Sequence, residues 1–270
     1  MSQTPTALDL GLTAGGDIRR TPPMGGFSLA FLVLELRRLM RNKRAVIFTL
    51  VMPSAFFLLF GTDSKYKTES AGHGNTTAYI MVSMAVYGAM IATTSGGAMV
   101  ATERALGWSR QLRLTPLKPV AYVAVKVAVA MTMGLAAIVT VFIVGNLVGA
   151  DLSAGRMLLC GVLAWVCTLV FAAFGLFMGY LLPSENVMQV LGPALALLSF
   201  AGGLFIPLDQ MSDVFATIAK FSPAYGVGVL SRSPFGDDGS ILLAVINIVA
   251  WAAVFVGGAA WRMSKDTQRV

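Results

Sequence analysis

The chain has 270 residues, of which 56% are hydrophobic and only 12% charged, and its formal net charge is +7. A soluble domain of this size needs about 25% charged residues to cover its surface, so much of this surface faces something other than water. The apolar residues fall in six blocks free of Asp, Glu, Lys and Arg. Each block is close to the roughly 20 helical residues that cross a hydrocarbon core of about 30 Å. None shows the alternation of barrel strands.

Met1 to Gly25 is rich in Gly, Thr and Pro and lacks a central apolar run. It reads as a disordered cytoplasmic tail, with no cleavable signal peptide. Residues 26–270 read as a single transmembrane domain. Within 26–44, Leu29, Leu32, Leu36, Leu39 and Met40 form one helical stripe, and Arg37, Arg38, Arg41 and Arg44 lie roughly opposite. That pattern predicts an amphipathic helix in the inner membrane interface.

The six blocks predict spans over Ala45–Thr62, Ala78–Thr102, Val127–Ala150, Met157–Ser184, Asn186–Leu208 and Gly239–Trp261. The expected fold is an all-α polytopic membrane protein with six transmembrane helices, the N-terminal interfacial helix and a short outer-leaflet helix. The last is predicted from Ser212 to Lys220, capped by Ser212 and ended by Pro223. His73 lies in a polar loop and reads as a surface residue. Cys160 and Cys167 are about 10 Å apart on one helix face, too far for a disulfide, and read as small buried residues.

With the N-terminus inside, 14 of the 20 basic residues fall in cytoplasmic segments. Five fall outside: Lys65, Lys67, Arg156, Lys220 and Arg232. Lys126, near the inner end of the third span, is expected to snorkel to the headgroups. Both termini are therefore expected in the cytoplasm. The positive charge is a feature of topology and anionic lipid, not of nucleic-acid binding.

The inner loop between the second and third spans reads ATERALGWSRQLRLTPLKPV. It is basic, with one acid at its start, and Thr115-Pro116 turns the chain. Its composition fits a docking helix, a lipid-anchored loop or a tight connection equally well. This loop, over 103–118, resembles that of the permease subunits of type-2 ABC exporters. The resemblance rests on Glu103, Arg104, Gly107, Leu112, Thr115, Pro116 and Leu117. It extends to the Pro183-Ser184-Glu185-Asn186 inner turn and to GGLFIPLDQM followed by FSPAYG. Arg110 stands where many members carry a second acid. The pattern is closer to drug- and antibiotic-export relatives than to polysaccharide exporters.

The resemblance implies a two-protein efflux machine in the cell membrane. Two permease chains, identical or related, would each engage an ABC ATP-binding subunit that carries ATP and Mg. The interfacial helix, with Arg37 and Arg41, and the loop residues Glu103, Arg104, Gly107, Trp108, Arg110, Leu112, Thr115 and Pro116 would form the ATPase-coupling surface. Spans two and five would line the substrate pathway through Met84, Tyr87, Met90, Thr94, Gln189, Phe200 and Phe205. Flexible Met and flat aromatic side chains suit varied hydrophobic cargo, although each position fits ordinary helix packing as well.

The sequence has no Walker-type phosphate loop, no H-E-x-x-H, no C-x-x-C and no G-x-S-x-G. No cofactor or metal is therefore expected in this chain. An ion-coupled carrier usually needs intramembrane carboxylates, and the blocks contain none. A membrane scaffold or signalling partner of an ATPase, transporting nothing, is the remaining alternative.

Overall fold

The computed structural model describes residues 29–107, 118–236 and 239–268. The tail 1–25 and loop residues Trp108, Arg110, Leu112, Thr115 and Pro116 lie outside the described residues. In chain order the helices are α1 (Leu29–Arg41), α2 (Lys43–Gly61), α3 (Ser64–Thr68), α4 (Thr76–Ala105), α5 (Pro119–Val148), α6 (Ala154–Cys167), α7 (Leu169–Leu181), α8 (Ser184–Ala201), α9 (Asp213–Ala219), α10 (Pro223–Arg232) and α11 (Ile241–Gln268). Between α3 and α4, the two-residue strands β1 (Ser70–Ala71) and β2 (Gly74–Asn75) pair antiparallel, with Ser70 opposite Asn75. The protein is an all-α polytopic membrane protein.

Among the described residues, four spans, α4, α5, the α6–α7 pair and α11, are long and apolar enough to cross a membrane. The bent pairs α1–α2 (65°) and α9–α10 (94°) bring the number to as many as six if each is one span. The expected fifth span is shorter than its apolar block. Its helix α8 stops at Ala201, because Gly203 adopts φ +74° and Leu204 N–H turns back to the Ser199 carbonyl. The chain then makes a short 3₁₀ turn at Leu208–Gln210.

The segment after α8 departs furthest from expectation. The predicted helix is present as α9, but Pro223 opens a further helix rather than only closing that one. Pro223 sits in the first turn of α10, and Ser222 Oγ accepts from Ala224 N–H at 3.3 Å. Proline suits that position because its missing N–H would have no intrahelical partner. Residues 223–229 of α10 are all buried. Arg232, expected in an outer loop, is 2% exposed. It donates to Ser83 Oγ (3.1 Å) and the Gly203 carbonyl (2.9 Å), and its guanidinium lies 4.9 Å from the Tyr79 ring centre.

Helix α4 is the centre of the bundle and packs against α2, α5, α6, α7, α8 and α10. Met81, Val82, Ala85, Val86, Ala89 and Met90 are fully buried along it. Water cannot satisfy or drive contacts within lipid, so close approach of small residues does much of the packing. A Cβ on Gly175 would stand 2.1 Å from the Thr94 carbonyl oxygen, and one on Gly97 2.6 Å from that of Ala172. Thr94 Oγ1 donates to the Phe171 carbonyl across the same seam at 3.3 Å. Cys160 and Cys167 are buried and unbonded, as small core residues, and His73 is exposed.

At the end of the bundle away from α1, Asn75 ties three segments together. Its Oδ1 accepts from Ala78 N–H (2.9 Å), capping α4, and from Asp151 N–H (3.0 Å). Its Nδ2 donates to the carbonyls of Gly149 (2.9 Å) and Lys67 (3.2 Å).

Two substitutions separate close packing from glycine content. Gly175→Ala is expected to lower stability by about 1–3 kcal/mol, the usual size of an overpacking penalty. Gly257→Ala, where an added Cβ meets nothing within 4 Å, is expected to leave stability unchanged or slightly raised. Thermal unfolding of the detergent-solubilised chain measures both.

Candidate functional site

The site lies at the basic end of the bundle, where α1, the last turn of α4 and the first turns of α5 meet. Helix α1 buries one face, and Glu35 sits in the middle of that face, beside Leu32, Leu36 and Leu39. Glu35 is 7% exposed, Glu103 of α4 is 2% exposed and Lys126 of α5 is 3% exposed. The Lys126 ammonium donates to Glu35 Oε2 at 2.6 Å and to Glu103 Oε1 at 2.5 Å. Glu103 Oε1 also accepts from Arg38 at 2.9 Å, and Glu103 Oε2 accepts from the Tyr122 hydroxyl. Arg38 reaches Glu35 Oε1 at 3.6 Å, and its side chain remains 45% exposed.

Two carboxylates thus meet two cations, and the formal charge of the group is zero. Desolvating a single charge costs several kcal/mol, and only a well-bonded counter-charge offsets it. Lys126 sits two turns inside α5, where its neighbours are apolar. Its ammonium is held by carboxylates from α1 and α4 rather than extending to the headgroups as expected. Tyr122, one turn earlier on α5, supplies the hydroxyl that satisfies the second Glu103 oxygen.

Arg104 faces the other way. It donates to the Gly179 and Tyr180 carbonyls, both at 3.2 Å, and its guanidinium lies 5.3 Å from the Tyr180 ring centre. These are last-turn carbonyls of α7, which have no intrahelical donors and favour a cation. Arg262 of α11 donates to the next one, Leu181, at 3.4 Å. Consecutive residues of α4 therefore tie its end to α1 and α5 on one side and to α7 on the other. Gly107 then ends the helix in the left-handed region at φ +71°, its N–H bonded to the Arg104 carbonyl at 3.0 Å. An added Cβ there would meet nothing within 4 Å, so the conformation and not the space calls for glycine.

The sequence-predicted coupling residues divide accordingly. Arg37 and Arg41 are exposed on α1. Glu103 and Arg104 are turned into the bundle and bonded there, not presented outward. Glu35 and Tyr122 were not anticipated. The signal was a carboxylate inside the apolar stripe of α1 and a lone lysine inside an apolar span, two buried charges of opposite sign that require each other.

The expected pathway residues also divide. Met84, Met90 and Thr94 are at most 1% exposed and belong to the packed core. Tyr87 and Phe205 meet with ring centres 4.9 Å apart, and Phe56 of α2 stacks on Tyr87 at 6.0 Å. Gln189 and Phe200 are exposed on α8, which buries only the stripe Val187, Leu191, Leu195 and Ser199.

Residues 29–233 match the family model described as ABC-2 type transporter. The chain belongs to the ABC-2 type transporter family. The match starts at the first residue of α1 and ends just past α10, so it contains every member of the charge cluster. A protein of Bacillus subtilis (strain 168), "Putative transport permease YvfS", is 28% identical over 199 residues, covering 73% of this chain and 80% of its own length. The family implies a membrane transport subunit of an ABC transporter, and it generally works with an ATP-binding subunit.

The buried ion group gives a double test. Lys126→Met leaves two buried carboxylates to share the half-exposed Arg38 and is expected to destabilise the permease by about 3–5 kcal/mol. Adding Glu35→Gln and Glu103→Gln to Lys126→Met is expected to restore most of that loss. Thermal unfolding in detergent compares the single and triple variants; equal loss in both would mean that the charges are not coupled.

Proposed function

We propose that this chain is the membrane-spanning permease of an ATP-driven exporter, moving hydrophobic or amphipathic cargo such as a drug, an antibiotic or a lipid out of the cell. Energy comes from a separate ABC ATP-binding subunit, which holds ATP and Mg. Two permease chains pair, each with its own ATPase subunit. The protein sits in the cell membrane with its basic end and both termini in the cytoplasm, in keeping with the positive-inside distribution. In this arrangement α2 and α8 serve as the first and fifth of six spans, and the α9–α10 hairpin enters from the outside and returns.

One observation carries the coupling step. The inner loop leaves the bundle directly after Glu103 and Arg104, and those two residues are bonded to α1, α5 and α7. A push on the loop by the ATPase therefore moves four helices together rather than one. The exposed arginines of α1, Arg37 and Arg41, extend the docking surface beside the loop residues Trp108, Arg110, Leu112, Thr115 and Pro116. The sparsely buried α8, with Gln189 and Phe200, faces the second permease chain, and the Tyr87–Phe205–Phe56 group borders the cargo route.

Copurification and vesicle transport test this reading. Deleting residues 108–114 is expected to abolish ATPase-subunit binding. Arg37→Glu with Arg41→Glu is expected to weaken it about tenfold at low salt, an effect that fades as salt screens the charges. Inside-out vesicles holding the wild-type complex should accumulate apolar cargo only with ATP. Full ATPase binding after loop deletion would sink the docking surface, and cargo movement driven by a proton gradient without ATP would sink the exporter.

A further inference from the structure

Tyr79, Ser83 and Tyr87 lie about one turn apart along one face of α4. Arg232 of α10 engages the first two. Its Nη1 donates to Ser83 Oγ at 3.1 Å, and its guanidinium lies 4.9 Å from the Tyr79 ring centre. The same Nη1 donates to the Gly203 carbonyl at 2.9 Å. Gly203 lies just past the last turn of α8, the end of a helix that favours a cation. One buried nitrogen therefore pins the chain leaving α8 to Ser83 of α4. A Cβ on Gly228 would stand 3.4 Å from Arg232 Nη2 and 3.0 Å from Leu204 Cδ2. The bare face of α10 at Gly228 thus leaves the room that both side chains occupy.

Two residues beyond Gly203, the Phe205 ring meets Tyr87 with centres 4.9 Å apart and Phe56 at 6.1 Å. The spacings on the two chains agree. Ser83 to Tyr87 is about 6 Å of helix rise, and two residues of extended chain reach at most about 7 Å. A chain held at Gly203 against Ser83 has little slack, and its Phe205 ring lands beside Tyr87. Phe205 depends on such a hold because it lies between the end of α8 at Ala201 and the 3₁₀ turn at Leu208, outside any helix that would fix it.

We propose that Arg232 is a positioning residue for cargo binding: by holding Gly203 against Ser83 it sets Phe205 against Tyr87 and Phe56, and through that ring governs how tightly an aromatic cargo binds. This rests on the reading of those three rings as the border of the cargo route. Arg232 is 2% exposed and acts through the 203–205 segment, not by touching cargo.

Para-fluorophenylalanine in place of Phe205, in the full chain in detergent micelles, reports the surroundings of the ring by its fluorine NMR resonance. Arg232→Gln is expected to move and broaden that resonance. Arg232→Lys, whose ammonium also has donors for two oxygens, is expected to keep most of the wild-type shift. Ser83→Ala is the milder variant should Arg232→Gln misfold, and is expected to move the resonance in the same direction by less. The same label at Phe174, which packs on Phe255 at 5.0 Å, is expected to stay in place throughout. Ethidium and daunorubicin, two amphipathic aromatic probes, should each shift the Phe205 resonance of the wild type, with half-saturation about fivefold higher in Arg232→Gln. An unmoved Phe205 resonance in folded Arg232→Gln, or in Ser83→Ala where the first misfolds, overturns the proposal. Equal movement at Phe205 and Phe174 does the same, since it marks general loosening. A Phe205 resonance that follows Arg232 but answers neither probe upholds the positioning of the ring and overturns the cargo-route reading.

Discussion

Lys126 carries a charge into a stretch of α5 where water is scarce, and much of the basic end is arranged around satisfying it. An isolated ammonium there would be several kcal/mol out of balance. The counter-charges come from two other helices, Glu35 of α1 and Glu103 of α4. Helix α1 is otherwise a surface helix with a single apolar face, held to the bundle by modest burial. The ion group gives it a fixed register against α5, because a shift of one residue along α1 would turn Glu35 away from Lys126 by about 100°. Arg38, half exposed, completes the group from the rim and keeps its net charge at zero.

Helix α4 is held differently at its two ends. Far from α1, Asn75 uses both sides of one amide to cap the helix and bind the α5–α6 turn. Those bonds are neutral and local. Near α1, the bonds are charged and reach three helices. Between the ends, glycines at the α4–α7 seam bring backbones so close that a single added methyl has no room. A helix gripped tightly along its length transmits displacement as a rigid body. Motion applied to the end of α4 therefore reaches α7 through the glycine seam as well as through Arg104.

Much of the architecture is legible in the sequence because spans are written as long uncharged runs. The apolar blocks predict the helices, and the stripe from Leu29 to Met40 predicts α1. The helix ends are less legible. Gly202-Gly203 lies inside an uninterrupted apolar run, so the run gives no sign that α8 stops at Ala201. Helix α10 was missed because its ten residues are too short for a span and too rich in Gly for a strong helical pattern; tertiary burial against α4 and α11 stabilises it. Arg232 misled the charge count for the same reason. A basic residue on a hidden short helix looks in sequence like a basic residue in a loop. The candidate site was half legible: Glu103 and Arg104 stood out by motif, whereas their inward direction depends on partners distant in sequence, Lys126 and Tyr122 for Glu103 and the α7 carbonyls of Gly179 and Tyr180 for Arg104.

The direction of these two side chains changes what the loop motif means. A glutamate and an arginine at the root of a basic loop between two spans read naturally as contacts for a partner protein. Here each is already bonded within the chain, Glu103 to three donors and Arg104 to two carbonyls. Their bonds fix where the loop leaves the bundle and stiffen its attachment. On the proposed reading of this chain as the permease of an ATP-driven exporter, docking is left to the loop beyond Gly107 and to Arg37 and Arg41 on the exposed face of α1. A stiff root is also what a coupling loop requires, since a loop on a flexible hinge would absorb the partner's motion instead of passing it to the spans.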